Sequence, residues 1–225
     1  MTEDTVCDLH THSRFFHRPA ESVGGYDYLG VRLARQVARL RGLSAIAVTN
    51  HDYYRPETLT AFDRCVPGIE ISTTMGHVLV VGPDPPRRTA AGEMTPAEAV
   101  DLAHDRGCAA IIAHPFRGSR VVESDADFDA VEINGKRPEN RERVEQLARE
   151  RDLPIIGGSD AHFPFEVGRA VTRIGVDELT PEAVVRAIKA GDVEPVVQHG
   201  RVDEGMRNLY RRVHARKHGS GGNAD

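Results

Sequence analysis

The stretch Thr5-Val6-Cys7-Asp8-Leu9-His10-Thr11-His12 sets the pattern on which the chain is built. Its first six residues include Val6, Cys7 and Leu9 and predict a β-strand, and a second histidine follows after Thr11. Because successive side chains of an extended segment point to opposite faces, His10 and His12 share one face. Two imidazoles on one face can bind one metal ion. The stretch therefore predicts a strand that carries metal ligands at its carboxyl end.

The same plan recurs along the chain, where further apolar runs end in, or contain, side chains that can bind a metal. These side chains are His51 and Asp52 after Leu43–Thr49, Glu70 in Val66–Ser72, His114 at the end of Cys108–His114, and Asp160 and His162 after Pro154–Gly158. In a parallel barrel the carboxyl ends of the strands form one rim, where active sites are built. We therefore expect these side chains, although distant in sequence, to meet in a single site.

Helical patterns separate the apolar runs. Tyr26–Arg41 places Leu29, Leu33, Val37 and Leu40 on one apolar face, which we expect to be buried, and Thr95-Pro96-Ala97-Glu98 has the form of a capping box. Alternating strands and helices predict an α/β protein with a mainly parallel sheet, and about seven strand units favour a barrel. The competing doubly wound sheet would usually bring a glycine-rich phosphate loop, and the sequence contains neither GxGxxG nor GxxxxGK[ST].

Length and composition favour a single domain of ordinary globular character. The 225 residues are 40% hydrophobic and 28% charged, with a formal net charge of −5. We expect residues 1–200 to form the domain and residues 201–225 to be a basic tail that ends in Gly and Ser. The negative charge argues against a general nucleic-acid coat protein. The sequence has no recognisable signal peptide and no apolar run long enough to span a membrane, so we expect a cytoplasmic protein.

The candidate ligands are imidazoles and carboxylates. The chain has 11 His but only 3 Cys, and no Cys belongs to a CxxC pair. This donor set favours Zn²⁺, Mn²⁺ or Fe²⁺ over a structural zinc held by thiolates. A single histidine is more often a surface or core residue than a ligand, and on spacing alone His17 and His77 are weaker candidates than those at strand ends. Four others are interpreted as incidental: His104, His199, His214 and His218.

Five motifs, in order along residues 6 to about 197, resemble the PHP family (polymerase and histidinol phosphatase). They are Asp8-Leu9-His10-Thr11-His12-Ser13, Thr49-Asn50-His51-Asp52, Gly68-Ile69-Glu70-Ile71-Ser72 with His77–Gly82, Ala113-His114-Pro115, and Gly158-Ser159-Asp160-Ala161-His162. The resemblance implies a single-domain, distorted (β/α)7 TIM-like barrel with a cluster of two or three divalent metal ions at its carboxyl rim.

Carried over position by position, the resemblance implies nine metal ligands. His10, His12, Glu70 and Asp160 would hold the first ion, His17, His51 and His162 the second, and Glu70, His77 and His114 the third, with Glu70 bridging. At the position of His17 many family members have an Asp in a Ser-Asp-Gly motif. Phe16-His17-Arg18 departs from that wording but keeps a residue that can bind a metal.

These expectations lead to a metal-dependent phosphoesterase that hydrolyses a small phosphomonoester through a metal-bridged hydroxide. Arg117 is the first choice for binding the substrate phosphate, because its planar guanidinium can bind two oxygens, and Arg14 is the second. Lys136, which follows another strand end, is a further candidate. Asp52 would either orient a ligand histidine or act as general acid.

Three alternatives remain at this point. A PHP-type phosphodiesterase or exonuclease would act on nucleic acid or nucleotides, and the negative net charge weighs against it. An amidohydrolase-like enzyme would hydrolyse a C–N bond, but that family typically bridges its metals with a carboxylated lysine at a strand end. None of the three lysines ends a strand in the middle of the predicted barrel. A non-catalytic, regulatory domain would be expected to have lost ligands. The sequence does not indicate the substrate or the oligomeric state.

Overall fold

The computed structural model describes residues 5–14, 24–59 and 63–197. His17 and the predicted tail at 201–225 lie outside these residues. The strands of the described part are β1 (Thr5–Thr11), β2 (Ala45–Val48), β3 (Cys65–Thr73), β4 (Gly76–Val81), β5 (Ala109–Ile112), β6 (Ala130–Asn134), β7 (Ile155–Gly158), β8 (Ala170–Ile174) and β9 (Val193–Val197). The α-helices are α1 (Gly24–Leu40), α2 (Pro56–Leu59), α3 (Pro96–Asp105), α4 (Arg141–Arg151) and α5 (Pro181–Ala190).

The nine strands form one sheet in the order β7-β6-β5-β4-β3-β2-β1-β8-β9. The sheet curls until β7 packs against β1, β8 and β9, and a bridge between Thr11 and Ala161 joins the two ends at the rim. The predicted single-domain α/β fold, a distorted TIM-like barrel, is therefore confirmed. It is nearly closed, which is the arrangement that brings the first and last ligand motifs together.

The expectation of a mainly parallel sheet is wrong, because half of the strand pairs are antiparallel. The pairs β1–β2, β2–β3, β5–β6 and β6–β7 are parallel, whereas β3–β4, β4–β5, β1–β8 and β8–β9 are antiparallel. Only Thr74 and Met75 separate β3 from β4, and a parallel connection needs a dozen residues or more. As a result β4 begins at the rim where β3 ends. His77, at the start of β4, therefore reaches the same rim as the residues at the strand ends.

Local sequence signals account for the ends of the outer helices. Thr95 Oγ1 accepts a hydrogen bond from Glu98 N, and Glu98 Oε2 accepts one from Thr95 N at 2.8 Å, which confirms the predicted capping box. Pro96 occupies the first turn, where its missing N–H has no consequence. The helix α5 ends at Gly191, whose φ of +74° is the left-handed conformation that glycine adopts most readily.

The predicted buried face of α1 is wrong. Leu29, Leu33 and Leu40 are exposed and only Val37 is partly buried, and the helix instead packs through a face of smaller side chains that includes Val31 and Ala34. Gly30 lies on that side, close to the segment that follows β1. The smaller side chains let the helix axis approach the barrel closely. The close packing that results stabilises this orientation of the helix more than burial of the larger leucines would.

Candidate metal centre

The rim of the barrel collects eight of the nine predicted ligands, and the ninth, His17, lies outside the described residues. His10 and Glu70 project from within β1 and β3, and His77 from the start of β4. The others follow the ends of their strands: His12, His51, His114, Asp160 and His162. They meet because the strands around them are hydrogen-bonded neighbours, as the bridge between His51 and Glu70 illustrates.

One oxygen of Glu70 lies among three imidazoles. Glu70 is fully buried, and its Oε2 is 3.3 Å from His10 Nε2, 3.3 Å from His12 Nε2 and 3.1 Å from His51 Nδ1. Burial alone would raise the pKa of this carboxyl group, but the adjacent imidazoles of His51 and His10 hold it well below its usual range. Glu70 is thus an ionised carboxylate at neutral pH, the form that binds metals.

The other oxygen of Glu70 serves a second group. Its Oε1 lies 2.9 Å from His77 Nδ1 and 2.8 Å from His114 Nε2. The two imidazole nitrogens are 3.2 Å apart. The two carboxylate oxygens therefore face different sets of histidines, which is the geometry that the predicted bridging role requires.

Asp160 adds a second carboxylate to the imidazoles that surround Glu70 Oε2. Its Oδ1 is 3.3 Å from His12 Nε2, 3.8 Å from His10 Nε2 and 3.1 Å from His162 Nδ1. Asp160 is buried and has a φ of +50°, so the loop after β7 holds it in an uncommon conformation. Burial would raise its pKa, but the positive charge of Lys136 and the surrounding imidazoles hold it well below the usual range.

The donor atoms fit a divalent ion. Three of them, His10 Nε2, His12 Nε2 and Glu70 Oε2, are buried and have no hydrogen-bond partner among the described residues. Buried polar atoms are normally paired, so this group requires an explanation. Ligands in a tetrahedral shell about 2.1 Å from zinc stand about 3.4 Å from one another. The separations of 3.3 Å around Glu70 Oε2 match that spacing.

Three overlapping donor groups emerge from the described residues. Within each, one ligand atom per residue lies within 4.8 Å of the others: His10, His12 and Glu70; His12, His51 and His162; and His51, Glu70 and His77. These groups resemble the ligand sets implied by the sequence, except that His12 and His51 each belong to two of them and that Asp160 and His114 belong to none. Burial lowers the pKa of His12 to about 3, which keeps this imidazole neutral and available as a ligand.

Sequence reasoning missed Glu132, which orients two of the ligands. It is buried on β6, its Oε1 is 2.8 Å from His10 Nδ1, and its Oε2 accepts a hydrogen bond from His114 N at 2.7 Å. A carboxylate bound to Nδ1 turns Nε2 of the same ring toward the site. The signal that could have found it is an acidic residue inside the apolar run Ala130–Ile133.

Two more buried carboxylates hold the ligand loops. Asp8 accepts hydrogen bonds from His10 N and Ser159 N, which ties β1 to the loop before Asp160, and burial raises its pKa to about 6. Glu166 accepts a bond from His162 N at 2.8 Å. Both act on the backbone of ligand segments, so their roles depend on contacts that no local pattern in the sequence reveals.

The predicted phosphate-binding and catalytic residues fall in different places. Arg117 Nη1 and Lys136 Nζ contact Asp160 Oδ2, the latter at 3.3 Å, so both stand at the edge of the donor group. Asp52 Oδ1 accepts hydrogen bonds from Ser72 N and Thr89 Oγ1, both at 2.9 Å, and thereby holds the turn that follows His51.

Arg14 belongs to another cluster. It is half-buried, and its positive charge acts on Asp27 and Tyr53. The structure does not bring it together with the carboxylate that Arg117 and Lys136 share.

The position of Lys136 changes one argument made from the sequence. It lies just after β6, and its Nζ is 2.8 Å from His162 Nδ1. Lys136, a predicted phosphate-binding candidate, thus lies beside the ligands, because the turn after β6 brings it to the rim. A lysine close to the ligands weakens the argument made from the sequence against an amidohydrolase-like enzyme, although Glu70 occupies the position predicted to bridge the ions.

Comparisons with known proteins agree with this fold. The family model for a PHP-associated region matches residues 138–193. PsfC from Pseudomonas syringae has a similar structure, with a TM-score of 0.72, 20% identity, and coverage of 93% of this chain and 98% of that one. No protein of curated function matches the sequence.

Two further solved structures share the fold. A two-domain protein from Bacteroides vulgatus that contains a predicted PHP-like metal-dependent phosphoesterase has a TM-score of 0.59 and 21% identity, and the match covers 92% of this chain and 69% of that one. The lesion-specific endonuclease PfuEndoQ from Pyrococcus furiosus has a TM-score of 0.63 and 16% identity, with coverage of 85% and 57%. The predicted PHP resemblance is confirmed. No helix among the described residues is long and apolar enough to cross a membrane.

Proposed function

We propose that this chain, a PHP-type protein by its fold and by its PHP-associated segment, is a metal-dependent phosphoesterase that hydrolyses a small phosphomonoester. The observation that carries the proposal is the set of buried, unpartnered nitrogen and oxygen atoms that converge around Glu70. Such a set is costly to bury and is stabilised when an ion satisfies it. Clusters of two divalent ions are used by phosphatases and nucleases, where they stabilise the attacking and leaving oxygens of the displacement.

Residues of each donor group would hold the ions. His10, His12, Glu70 and Asp160 would hold one, His51 and His162 would contribute to a second, and His77 and His114 to a third, with His17 as a predicted additional ligand. Two or three bound Zn²⁺, Mn²⁺ or Fe²⁺ ions would lower the pKa of a water toward neutrality and neutralise charge on the phosphate. Glu132 would keep His10 oriented through its bond to Nδ1.

Arg117 and Lys136 would bind the phosphate of the substrate. Both cations share Asp160 Oδ2, and the Arg117 side chain is 40% exposed, so it can turn from the carboxylate to an incoming phosphate. Guanidinium groups bind phosphate oxygens in pairs, and an ammonium group adds a point charge. Arg14 stays a second choice, since its charge acts on a neighbouring cluster.

The contacts of Asp52 favour a positioning role over proton transfer. Its carboxylate accepts hydrogen bonds from Ser72 and Thr89, and its backbone N–H donates to Glu70 O at 2.9 Å. These bonds would fix the turn that presents His51. Both side-chain bonds are made by Oδ1, which commits that oxygen to holding the turn.

The test is a substrate and metal panel on the purified protein. Metal-free protein, reloaded with Mn²⁺, Zn²⁺ or Fe²⁺, is assayed with p-nitrophenyl phosphate, its bis-ester and a set of amides. We expect turnover of the monoester that disappears in Glu70→Gln, whereas His104→Ala, at the opposite end of the barrel, retains it. A preference for the diester would favour the phosphodiesterase alternative, and turnover of amides alone the C–N hydrolase. No turnover of either ester in a metal-replete sample would refute the phosphoesterase.

A further inference from the structure

A buried carboxylate on α1, outside the predicted ligand set, lies behind two of the ligand loops. Asp27 is in the first turn of α1 and is 1% exposed. Its Oδ1 accepts a hydrogen bond from Tyr53 Oη at 2.8 Å and one from Ser13 Oγ at 3.4 Å. Arg55 Nε lies 3.5 Å from its Oδ2. One carboxylate thus contacts the segment after β1 and the segment after β2.

A second set of bonds links the same two segments. Ser13 N donates to Asn50 Oδ1 at 2.9 Å, and Asn50 Nδ2 donates to Ser13 Oγ at 2.8 Å. Ser13 directly follows His12, and Asn50 directly precedes His51. The chain of bonds from Asp27 through Ser13 to Asn50 therefore ends one residue from each of two ligands. The rings of these two histidines are stacked, with centroids 4.7 Å apart.

The packing of α1 gives an independent reason to regard the helix as a support for this part of the rim. A Cβ atom placed on Gly30 would lie 1.7 Å from the carbonyl oxygen of Ser13. The helix consequently rests directly on the backbone of the His12 segment, and Gly30 and Asp27 are one turn apart on the same side. Any shift of α1 would move that segment and the ligand it carries.

The chemistry of Asp27 indicates a role beyond the packing of α1 against the barrel. Burial raises its pKa, and its Oδ2 accepts no hydrogen bond from the described residues. A buried carboxylate is a poor source of stability compared with apolar side chains of similar size. Metal sites, by contrast, need ligand distances held to a few tenths of an ångström, which supporting hydrogen bonds provide.

We propose that Asp27 is a positioning residue that couples the His12 and His51 loops and thereby sets the affinity of the ion that these two histidines share with His162. The inference rests on the proposed metal site and adds a determinant that lies on a helix outside the ring of ligands. Loss of the carboxylate would free Ser13 and Tyr53 and let the two loops move independently. The group of His10, His12 and Glu70 would be affected less, because only His12 among its ligands lies in a loop tied to Asp27 and Glu132 still holds His10.

The experiment compares metal binding in four single variants. Mn²⁺ and Zn²⁺ affinities of apo protein are measured by competition with a chromophoric chelator, and folding is followed by circular dichroism. We expect Asp27→Ala to weaken the His51-dependent ion about 10- to 100-fold, the range found for residues that orient ligands. Asp27→Asn, whose Oδ1 can still accept both bonds, should recover most of that affinity. Tyr53→Phe keeps the aromatic ring but removes the hydroxyl that binds Asp27, and it should lower the affinity for the same ion severalfold. This variant replaces Asp27→Ala in the test if Asp27→Ala does not fold.

Asp129→Ala is the matched control. Asp129 is a largely buried carboxylate at the amino end of β6, where it contacts His104 Nε2 at 2.9 Å and Lys189 Nζ at 3.3 Å. Its loss should lower the melting temperature of the apo protein without changing metal affinity. A merely structural role for Asp27 would give the same result in both variants, and that result would overturn the inference.

A double variant separates coupling from general damage. In His51→Ala the shared ion is already lost, so adding Asp27→Ala should lower metal affinity much less than Asp27→Ala does in the wild-type background. Two losses that add in full would contradict the inference, as would a folded Asp27→Ala protein that binds every ion as tightly as the wild type. If the wild type binds no ion, the proposed function fails together with the inference. If the wild type binds its ions and only the effect of Asp27 is missing, the inference alone fails, so the two failures are distinguishable.

Discussion

The side chains of the candidate metal centre are of two kinds: those that supply donor atoms, and those that hold the donor side chains in place. Glu70 faces the group with both oxygens, whereas Glu132 contacts the far side of the His10 ring and the backbone of His114. The first kind supplies donors, and the second kind selects the tautomer that presents them. Substitutions of the two kinds should therefore differ in their effects on metal content.

Glu132→Gln should weaken metal binding without removing it. The amide keeps the size of the side chain, but a neutral oxygen is a weaker acceptor for His10 Nδ1–H than a carboxylate. We expect about a 10- to 100-fold loss of affinity in a chelator competition assay. His10→Ala, which removes the ligand itself, should lose the ion altogether. Equal losses in the two variants would contradict the division between ligands and supports.

Cysteine reactivity offers a test of burial that is independent of the metal. Burial raises the pKa of Cys65 to about 11 and that of Cys7 to about 12. The thiolate is the reactive form, so alkylation of the folded protein near pH 8 should be slow. The rate for Cys65 should increase about tenfold per pH unit up to its pKa, whereas unfolded protein should react fast already near pH 8.5. Fast alkylation of the folded protein at neutral pH would contradict the burial of these thiols.

At the scale of elements, the structure departs from the sequence prediction where tertiary contacts decide. The capping box of α3, which was predicted, and the glycine end of α5 both depend on residues close in sequence. The buried face of α1 and the direction of β4 depend on what lies opposite them in the fold. Leu29 and Leu33 satisfy a helical period yet face solvent, because the smaller face around Gly30 is the one that fits the rim.

Thr95→Ala should reduce stability but leave activity unchanged. The variant removes the side-chain acceptor for Glu98 N and breaks one half of the capping box. Loss of such a cap costs about 1 kcal/mol, which chemical denaturation of the metal-free protein can measure. Substitution of Glu93, an exposed residue of the preceding turn, should have no comparable effect. A drop in turnover for Thr95→Ala at unchanged metal content would show that α3 contributes to the site.

For the whole molecule, the metal centre should be a major source of thermal stability. The donor groups are assembled from β1, β3, β4 and three loops, so a bound ion stabilises only the folded state. At a free concentration about 100 times its Kd, an ion adds about 2.7 kcal/mol per site. For a domain of this length that shift corresponds to a melting temperature higher by roughly 5–10 °C.

Calorimetry with and without a chelator measures this shift. Glu70→Gln should abolish most of it, because Glu70 belongs to two of the donor groups. His104→Ala, a histidine outside the centre, should keep it. An unchanged melting temperature of the wild type after saturation with Mn²⁺ and Zn²⁺ would argue that the donor atoms bind neither ion.

The sequence by itself determined the features that depend on short-range geometry. The pair His10 and His12 follows from the two-residue period of a strand, and the strand-end position of Asp160 and His162 is visible in a window of ten residues. The barrel, its rim and most of the candidate ligands could be predicted from such windows, because the strand–helix alternation recurs along the chain.

Only the tertiary structure decided which side chains support the ligands. Glu132 and Asp27 act on residues far away in the chain, and Lys136 reaches His162 through a turn that no periodicity encodes. His77 reaches the rim because β4 runs antiparallel to β3, a choice set by strand pairing. The physical reason is the same in each case: hydrogen bonds and packing between distant segments depend on how the sheet closes, and a local pattern carries no information about that closure.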